Sequence, residues 1–359
     1  MTLPEWLPIR SDLRHEEPYG APQIEDVMCL NVNENPWAPS AEVANDIAEA
    51  VRQAALGLNR YPDREATELR ASLANYLGHD LTIENVWAAN GSNEIMMQIL
   101  QAFGGPGRTA LSFAPTYSMY PEYARNTHTR WVQGIRRDDF TIDPAHAREL
   151  IAAEAPDVVF LTSPNNPTGT ALAPELISEV LDLTSGIVVV DEAYAEFRRE
   201  TTPTALALLA DNPRLLVTRT MSKAFALAGA RIGYVAAHTA VIDALRIVRL
   251  PYHLSAVTQA TGIAALANSA ELLARVAELR EERDELAQWL RAQGYTVADS
   301  DANFVFFGHF TDRHKVWQGL LDRGVLIRES GPAGWLRVSV GTPTEMAAFR
   351  TALQEVDPR

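Results

Sequence analysis

The alternation of hydrophobic and polar positions divides the chain, from about residue 41 to residue 250, into helical and strand-like segments. Apolar residues at helical spacing predict amphipathic helices, and short unbroken apolar runs followed by turn residues predict strands buried on both faces. These segments are predicted helices at 41–56, 65–77 and 94–103 and predicted strands at 85–89, 157–161 and 187–190. Strands that alternate with helices indicate βαβ units and a parallel sheet.

The pattern changes after about residue 255. A long predicted helix over 271–293 carries an apolar stripe that Arg283 interrupts. The stripe could be a coiled-coil seam, but a helix with one face on a core and a charged face in water suits so short a stripe better. A compact α+β region follows, with predicted strands at 303–307, 324–328 and 335–340 and predicted helices at 312–322 and 343–355. We therefore expect a second, smaller lobe.

The composition is that of a globular protein, because 47% of the residues are hydrophobic and 21% are charged. Disorder and collagen-like repeats are thereby excluded. A chain of 359 residues is longer than a domain with a single hydrophobic core usually is, so two lobes are expected. The net charge of −15 argues against nucleic acid or an anionic membrane as the main partner, but it leaves room for a local basic pocket.

A cytoplasmic location is expected from the cysteine content and the first residues. Cys29 is the single cysteine, so no internal disulfide can form, and it is expected to be a buried thiol. Residues 1–6 have no basic segment leading into an apolar stretch, so no signal peptide is expected. The 8 histidines are scattered without a supporting set of ligands, and we predict no metal site.

Two loops that follow predicted strands offer groups for binding an anion or a polar ring. Residues 90–94 join a strand to a helix, and small residues there leave backbone N–H groups and the positive end of the helix dipole for a phosphate. The alternative is an ordinary helix cap by Ser92 or Asn93. Residues 163–169 follow another strand, and their asparagines offer amide donors on a backbone held by prolines and a glycine. The alternative is a loop that only turns the chain.

Two further segments carry an acid and an amine. Asp191 ends an apolar strand, where a carboxylate needs a partner, and a structural ion pair with an arginine is the alternative to a functional role. Lys223 lies between a hydroxyl and an apolar stretch, with Arg231 eight residues further on. An apolar pocket with cationic neighbours lowers the pKa of a lysine and makes it a nucleophile. The alternative, for the segment taken alone, is an exposed helix lysine.

An anion cradle, a buried carboxylate, a nucleophilic lysine and an arginine are together what pyridoxal 5′-phosphate (PLP) requires. The sequence resembles the class II, fold-type I PLP-dependent aminotransferases over nearly its whole length, and within them the histidinol-phosphate aminotransferases. The loop at 163–169 and the segment at 222–225 are the most specific to the superfamily. The other segments that carry the resemblance are 19–23, 33–36, 59–63, 115–119 and 331–341.

The resemblance implies an α/β fold with a large domain, built on a mostly parallel sheet flanked by helices, and a smaller α+β C-terminal domain. The expected division is an N-terminal arm over 1–40 that completes the small domain and the active site, a large PLP-binding domain over 41–255 and a small domain over 256–359. The resemblance also implies a homodimer with shared active sites, in which Tyr61 reaches the cofactor phosphate bound by the other subunit.

The resemblance further implies the roles of individual residues. Lys223, Asp191 and Tyr194 are the implied catalytic residues: the lysine joins the cofactor aldehyde and moves a proton, the aspartate keeps the pyridine nitrogen protonated, and the tyrosine contacts the ring hydroxyl. Tyr117 would stack on the ring. The residues implied to bind the cofactor are Ser92, Asn93, Tyr117, Asn166, Asp191, Tyr194, Ser222, Lys223, Arg231 and Tyr61, and those implied to bind substrate are Tyr19, Asn35, Tyr252, Arg328 and Arg337.

Residue alternation in the small lobe supports a second anion site. Side chains along a strand alternate between two faces, which places Leu336 and Val338 on one face and Arg337 on the other. Arg328 likewise faces away from Ile327. Two arginines on nearby strands can bind planar anions bidentately, whereas solvated strand arginines are the alternative. By resemblance Arg337 receives the α-carboxylate of glutamate, and which arginine takes a substrate phosphate stays open.

The implied reaction is reversible amino transfer between L-histidinol phosphate and 2-oxoglutarate, giving imidazole acetol phosphate and L-glutamate in L-histidine biosynthesis. An aromatic (phenylalanine) aminotransferase of the same subfamily is the main alternative, because Tyr19, Tyr117 and Tyr252 suit a phenyl ring as well as an imidazole. A PLP-dependent phospho-amino-acid decarboxylase is less favoured. A PLP-binding regulator is disfavoured, since the acidic chain shows neither a spare domain nor a basic patch.

Overall fold

The computed structural model describes residues 3–18 and 20–359 of the chain. The α-helices are α1 (Ala41–Ala55), α2 (Thr67–Leu77), α3 (Ser92–Phe103), α4 (Tyr120–Asn126), α5 (Pro144–Glu154), α6 (Pro174–Leu183), α7 (Thr239–Val248), α8 (Ala256–Ala267), α9 (Ser269–Leu272), α10 (Val276–Ala292), α11 (Arg313–Leu321) and α12 (Pro343–Val356). The β-strands are β1 (Met28–Cys29), β2 (Val86–Asn90), β3 (Thr109–Ala114), β4 (Arg130–Ile135), β5 (Val158–Thr162), β6 (Ile187–Asp191), β7 (Leu215–Thr220), β8 (Ile232–Ala237), β9 (Thr296–Val297), β10 (Phe304–Gly308), β11 (Val325–Leu326), β12 (Arg328–Glu329) and β13 (Trp335–Ser339). Within the described residues, no helix has the length and apolar character needed to cross a membrane.

The large sheet has seven strands in the order β2-β8-β7-β6-β5-β3-β4. From β7 to β4 each strand runs parallel to its neighbour, while β8 runs antiparallel to both β7 and β2. The predicted α/β architecture with a mostly parallel sheet is therefore confirmed. The three strands predicted from apolar runs are β2, β5 and β6, each displaced by at most one residue.

Each strand of the large sheet divides its side chains between two cores, because successive residues face opposite sides of a sheet. On β5, Val159 and Leu161 pack into a core that includes residues of α2, α5 and α6. Val158 and Phe160 pack into a second core, with residues of α3, α4 and α7. A strand that is apolar on both faces needs helices on both faces, so the apolar runs lie in the middle layer.

The second sheet is smaller and antiparallel, in the order β12-β13-β10-β9. It shares a core with residues of α10, α11 and α12. The two-residue strand β1 runs parallel to β11 and so ties the N-terminal segment to this part of the chain.

The single strand predicted over 324–328 is wrong. Its residues are divided between β11, which pairs with β1, and β12, which pairs with β13 in the other sheet. Ile327 lies between the two strands, and its carbonyl accepts a hydrogen bond from the indole N–H of Trp317 (2.8 Å) instead of joining a ladder.

The continuous helix predicted over 271–293 is also wrong. α9 ends at Leu272 and α10 begins at Val276, and the Val276 N–H donates to the Leu273 carbonyl three residues back (3.0 Å). Leu272 and Val276 are both buried, one on each side of the break. The spacing of the buried apolar residues is therefore the same for one continuous helix and for two helices separated by a turn.

Arg283 interrupts the apolar stripe of α10 in sequence but is buried in the structure, with 1% of its surface exposed. Its guanidinium donates to the carbonyls of Phe197 (2.9 Å) and Ala302 (3.3 Å) and to the carboxylate of Asp284 (2.9 Å). The arginine thereby joins α10 to the loop after β6 and to the segment before β10.

Cys29 is exposed, so the expectation of a buried thiol is wrong. The side chains of β1 alternate, and Leu30, just after the strand, is buried while Met28 packs against the same core. Cys29 lies between them and faces outward.

Candidate active site

A cavity of about 470 Å³ lies at the carboxyl ends of the parallel strands. Thr162, Asp191 and Thr220 are the last residues of β5, β6 and β7, and all three line it. Parallel strands end at one edge of a sheet, which is where open α/β sheets bind their ligands. The start of α3, residues 31–34 and β12–β13 complete the wall.

Most of the residues that the sequence singled out line this cavity. They are Ser92, Asn93, Tyr117, Asn166, Asp191, Tyr194, Ser222, Lys223, Arg231, Arg328 and Arg337. Asn35, Tyr61 and Tyr252 lie outside its lining, and Tyr19 falls outside the described residues.

Lys223 lies in the loop that follows β7, and the residues around it anchor the loop. Met221 and Phe225 are fully buried, and the Met221 N–H donates to the carbonyl of Ile232 on β8 (3.0 Å). The lysine side chain is left to face the cavity, where its Nζ donates to the Val32 carbonyl (2.9 Å).

The surroundings of Lys223 favour the neutral amine. Burial lowers its pKa to about 8, and the positive charges of Arg337 and Arg231 act in the same direction, while Glu34 opposes them. Desolvation and like charges both destabilise an ammonium ion. The unprotonated fraction of the amine near neutral pH is therefore much larger than that of a solvent-exposed lysine, as a nucleophile or a proton acceptor requires.

Asp191 is buried at the end of β6, with 5% of its surface exposed. Its Oδ2 accepts a hydrogen bond from the Tyr120 hydroxyl (2.8 Å), and its Oδ1 accepts from the Ala193 N–H (3.2 Å) and the Thr218 hydroxyl (3.3 Å). Burial raises the pKa of Asp191 to about 6, despite these hydrogen bonds, and the negative charge of Glu192 adds to the rise.

The arginine ion pair considered for Asp191 is made by the next residue. Glu192 points to the opposite side of the chain, where its Oε2 accepts from Nη2 (2.7 Å) and Nε (3.0 Å) of Arg219. Among the described residues, Asp191 itself has no ion pair with a lysine, arginine or histidine. The buried carboxylate on the cavity wall is thus available to a cationic ligand group.

Tyr194 and Arg337 are joined through one asparagine. The side-chain amides of Asn33 (3.0 Å) and Asn166 (3.3 Å) donate to the Tyr194 hydroxyl. Arg337 donates to Asn166 Oδ1 (2.5 Å) and to the Asn31 carbonyl (2.7 Å). The N-terminal segment, the loop after β5 and β13 therefore meet at a single hydrogen-bonded group beside the cavity.

The start of α3 approaches β8 closely because of two glycines. Gly91 precedes the helix with φ +80°, and a Cβ there would collide with the guanidinium of Arg231. A Cβ at Gly233, on β8, would collide with the backbone nitrogen of Ser92. Because neither glycine carries a Cβ, the first N–H groups of α3 and the guanidinium of Arg231 can lie next to each other.

This arrangement is suited to a phosphate. The first N–H groups of a helix have no partner within the helix, and they lie at its positive end. Arg231 adds a cation beside them and donates to the Ser222 hydroxyl (3.3 Å). Helix N–H groups, a guanidinium and a hydroxyl together can satisfy the oxygens of a dianion.

Arg328 and Arg337 are opposite each other in the register of β12 and β13. Arg337 is buried, and its guanidinium lies 5.2 Å from the centre of the Phe304 ring. Arg328 is half-buried and lines the same cavity, and within the described residues its guanidinium makes no hydrogen bond or ion pair. The pair can bind two anionic groups of a substrate or of two alternative substrates.

Tyr61, Tyr252 and Asn35 are placed away from the cavity. Tyr61 stacks on Tyr252, with 4.3 Å between ring centres, and the two rings are 78% and 40% exposed. Asn35 donates to the carbonyl of Ala224 (3.1 Å), next to Lys223 in the chain. It holds the N-terminal segment beside the lysine without lining the cavity.

Sequence reasoning assigned no role to several residues that make contacts in the site, among them Tyr120, Asn31 and Asn33, although Asn33 lies in the segment 33–36 that carries the resemblance. The two asparagines are two positions apart in an extended segment, so period-two spacing could have placed them on one side. Tyr120 follows Tyr117 by three residues at a helix start, a spacing that brings side chains together. Neither spacing could have identified Tyr194, Arg337 or Asp191 as the hydrogen-bond partners of these residues.

Comparison with known proteins identifies the family. Residues 25–353 match the family model of class I and II aminotransferases, so the chain belongs to that family. It is 62% identical to the histidinol-phosphate aminotransferase of Thermobifida fusca, over 97% of this chain and 95% of that protein. It is 58% identical to histidinol-phosphate aminotransferase 3 of Burkholderia lata, over 98% of this chain and 96% of that protein.

Solved structures show the same fold. The histidinol-phosphate aminotransferase of Sinorhizobium meliloti, in complex with pyridoxal-5′-phosphate, superposes with a TM-score of 0.82 at 26% identity, covering 91% of this chain and 90% of that one. A putative histidinol-phosphate aminotransferase from Erwinia carotovora gives a TM-score of 0.84 at 26% identity, covering 94% and 98%.

The residues present fit PLP. The cofactor has an aldehyde, a pyridine nitrogen and a phosphate, and the cavity offers one group for each. These are the amine of Lys223 with its lowered pKa, the buried carboxylate of Asp191 without an ion pair in the described chain, and the glycine-lined cradle at the start of α3. Tyr117, beside the cradle, offers an aromatic face to a flat ring.

Proposed function

We propose that this chain is a histidinol-phosphate aminotransferase that uses PLP. It transfers an amino group reversibly between L-histidinol phosphate and 2-oxoglutarate, giving imidazole acetol phosphate and L-glutamate in L-histidine biosynthesis. The observation that carries the proposal is the cavity in which Lys223, Asp191 and the phosphate cradle of α3 come together. The whole-length identity with curated histidinol-phosphate aminotransferases favours this substrate over an aromatic amino acid.

The cavity lining supports a proposed set of cofactor-binding residues. Ser92, Asn93, Ser222 and Arg231 would bind its phosphate, and Tyr117 would stack on its ring. When bound, PLP supplies an aldehyde that carries the amino group and a ring that accepts electrons. The chain itself orients that ring and controls the protons around it.

Four side chains would perform that control. Asp191 presents a buried carboxylate that stabilises a proton on the pyridine nitrogen, because an opposite charge nearby favours the charged form. Lys223, with its pKa lowered to about 8, can accept a proton at Nζ and return it. Tyr194 and Asn166, already hydrogen-bonded to each other, would bind the ring hydroxyl.

The two facing arginines would bind the anionic ends of the substrates. Arg337 is held rigidly by Asn166 and Asn31, which suits a planar carboxylate such as that of glutamate. Arg328 has no such restraint in the described chain and would bind the more distant phosphate of histidinol phosphate or the second carboxylate of 2-oxoglutarate. Tyr19, Asn35 and Tyr252 are also proposed to contact substrate on the resemblance alone, since Asn35 and Tyr252 lie outside the cavity lining and Tyr19 outside the described residues.

We further propose a homodimer with shared sites. Tyr61 and Tyr252 stack in the open on the side formed by the loop after α1 and the end of α7, and a second copy covering this side would bring Tyr61 to the cofactor phosphate of the other site. The proposed domains are an arm over 1–40, a large domain over 41–255 and a small domain over 256–359. A cytoplasmic location is proposed from the single cysteine.

The half-reaction with glutamate tests amino transfer directly. Glutamate added to the PLP-bound protein without any oxo acid should abolish the visible absorbance of the bound cofactor, and 2-oxoglutarate should restore it. The same experiment with Lys223→Ala should show neither change. Unchanged absorbance of the wild type would rule out amino transfer.

Steady-state turnover decides the substrate. Histidinol phosphate and phenylalanine should be compared as amino donors at equal 2-oxoglutarate. We expect kcat/KM to favour histidinol phosphate by at least about tenfold, the effect of one additional hydrogen bond to a charged group, since its phosphate offers three terminal oxygens where the carboxylate of phenylalanine offers two. A preference for phenylalanine would support the aromatic aminotransferase. Release of carbon dioxide without an oxo-acid acceptor would support the decarboxylase.

A further inference from the structure

Tyr120 is a fully buried tyrosine that lies behind the cavity wall and is not among the residues proposed to touch cofactor or substrate. Its ring stacks on Phe160 of β5, with 4.8 Å between ring centres and 9° between planes. Its hydroxyl lies 2.8 Å from Asp191 Oδ2 and 2.9 Å from the hydroxyl of Thr162. A buried polar group with two such partners has its position fixed by them.

The direction of each hydrogen bond follows from the charge of Asp191. An ionised carboxylate only accepts, so Tyr120 donates its one proton to Asp191. Thr162 must then donate to the oxygen of Tyr120, and the hydroxyl of Thr116, 3.2 Å from that of Thr162, donates to Thr162 in turn. Three hydroxyl dipoles therefore point toward one carboxylate, and Tyr120 is the link that touches it.

Tyr120 also contacts the aromatic side chain of the cavity. Its ring meets that of Tyr117 edge to face, with 5.5 Å between centres and 85° between planes. Tyr117 lines the cavity, whereas Tyr120 does not. Phe160 on one side and Tyr117 on the other thus fix the ring, and through it the hydroxyl.

We propose that Tyr120 is a positioning residue for the cofactor, whose hydroxyl holds the carboxylate of Asp191 ionised and oriented toward the pyridine nitrogen. This inference rests on the proposed PLP-dependent function. The titratable groups around Asp191 are Tyr120 on α4, Glu192 directly after β6 and Lys223 across the cavity. The charge of Glu192 is paired with that of Arg219 on β7.

The ionisation behaviour agrees with this geometry. Burial raises the pKa of Tyr120 well above its usual value, so the hydroxyl keeps its proton and remains a donor throughout the working pH range. The hydrogen bond from Tyr120 lowers the pKa of Asp191, while burial raises it. Removal of the hydroxyl therefore moves the pKa of Asp191 upward, toward the neutral pH at which the cofactor must be held.

Tyr120→Phe removes this hydroxyl and nothing else. The cofactor-free full-length protein would be titrated with PLP and followed by the quenching of its intrinsic fluorescence between pH 5 and 9. We expect a dissociation constant about tenfold higher than that of the wild type at pH 8, the size of one hydrogen bond to a charged group. We also expect the acid limb of the pH dependence to move upward by about one unit.

Tyr123→Phe is the matched control, because Tyr123 lies on the same helix, is 3% exposed and also loses a hydroxyl without touching Asp191. Its PLP affinity and pH profile should equal those of the wild type within about twofold, a difference below one net hydrogen bond. Equal losses in the two variants would overturn the proposal, since they would reflect packing of α4 alone. An unchanged Tyr120→Phe would overturn it as well.

Asp191→Asn gives the reference for full loss of the carboxylate and separates this inference from the proposed function. If the wild type binds PLP, Asp191→Asn loses affinity and Tyr120→Phe does not, only the positioning role fails. If the wild type does not bind PLP, the proposed function fails.

Thr162→Val is the second variant, used if Tyr120→Phe does not fold. It removes the hydroxyl that donates to Tyr120 and should move the acid limb of the pH dependence of PLP binding in the same direction. A wild-type pH profile for Thr162→Val would overturn the proposal.

Discussion

Burial acts on the two central residues of the site in opposite directions. It lowers the pKa of Lys223 to about 8 and raises that of Asp191 to about 6. In both residues the charged form loses its hydration, and neither has a close ion-pair partner among the described residues to compensate. A cofactor that brings a cationic nitrogen to the acid and an aldehyde to the amine would relieve both.

Asp191 should make the cofactor-free protein less stable as the pH rises. Its pKa is raised from 3.8 to about 6, so between these values the folded protein binds more protons than the unfolded chain, and stability falls as pH increases through this window. The full loss is on the order of 2–3 kcal/mol above pH 6, which corresponds to about 3 °C in Tm for a chain of this size.

The measurement is the Tm of the cofactor-free protein at pH 4.5 and pH 7.5. Asp191→Asn removes this titration. Between pH 4.5 and pH 7.5 the Tm of the variant should therefore fall by about 3 °C less than the Tm of the wild type. Asp211→Asn, at an exposed position, is the control and should keep the wild-type profile. Identical profiles for all three proteins would contradict an ionised, destabilising Asp191.

The chemistry of single residues was predictable where a local pattern carried it. Lys223, Asp191 and Arg231 could be selected because an apolar strand or loop surrounds each charged group in sequence. Tyr120 could not, since its importance depends on Asp191, which is 71 positions away. Cys29 was misplaced because a two-residue strand is too short for its alternation to be recognised.

At the scale of elements, the phosphate cradle depends on how closely α3 approaches β8. The contact is made at Gly233, whose φ is not in the left-handed region, so the glycine is required by space and not by backbone conformation. A Cβ there would meet the backbone of Gly91 and Ser92, which cannot move without shifting the start of the helix. The anion site is therefore sensitive to one methyl group outside the cavity.

Gly233→Ala should displace the start of α3 and weaken PLP binding. We expect a loss of at least about tenfold in affinity and of about 1–3 kcal/mol in stability, as is typical of overpacking. The control is Gly229→Ala: Gly229 lines the cavity, but a Cβ there would meet nothing within 4 Å. Isothermal titration measures the PLP affinity of both variants, and thermal unfolding measures their stability. Equal affinities would show that the close approach is not needed for binding.

The register of β12 and β13 leads to a second prediction at this scale, because it brings Arg328 and Arg337 side by side. Arg337→Gln should raise KM for glutamate by about 10- to 100-fold, since a charge-assisted bidentate contact is lost. Arg328→Gln should instead act more strongly on histidinol phosphate. The comparison is KM for each substrate in each variant, and the same pattern in both variants would contradict separate roles.

Helices and strands differed in how far the sequence could predict them. The middle strands were found because apolar residues on both faces leave few alternatives. The break between α9 and α10 was missed, because Leu272 and Val276 keep helical spacing across a tight turn. The division of 324–328 between two sheets depends on β1, a partner about 300 residues earlier in the chain.

At the scale of the whole molecule, exposed apolar side chains gather on one side. Leu56, Leu58 and Tyr61 lie at and beyond the end of α1, and Ile247, Leu250 and Tyr252 lie at and beyond the end of α7; all are exposed. The two groups are adjacent, because Tyr61 stacks on Tyr252 and because Arg246 and Arg249 both bind Glu65. Contiguous apolar surface of this kind marks an interaction site.

The proposed homodimer predicts that charges on this surface separate the subunits. Ile247→Asp combined with Leu250→Asp places two carboxylates where apolar surface would be buried, so the variant should elute as a monomer of 39.5 kDa in size-exclusion chromatography with light scattering. Because Tyr61 would then no longer reach a neighbouring site, PLP should dissociate about tenfold faster, the effect of one lost phosphate contact.

Ile135→Asp is the control, since Ile135 is 67% exposed at the end of the edge strand β4 and outside this surface. A double variant that remains dimeric would place the interface elsewhere, and a monomeric wild type with full activity would show that each chain completes its own site.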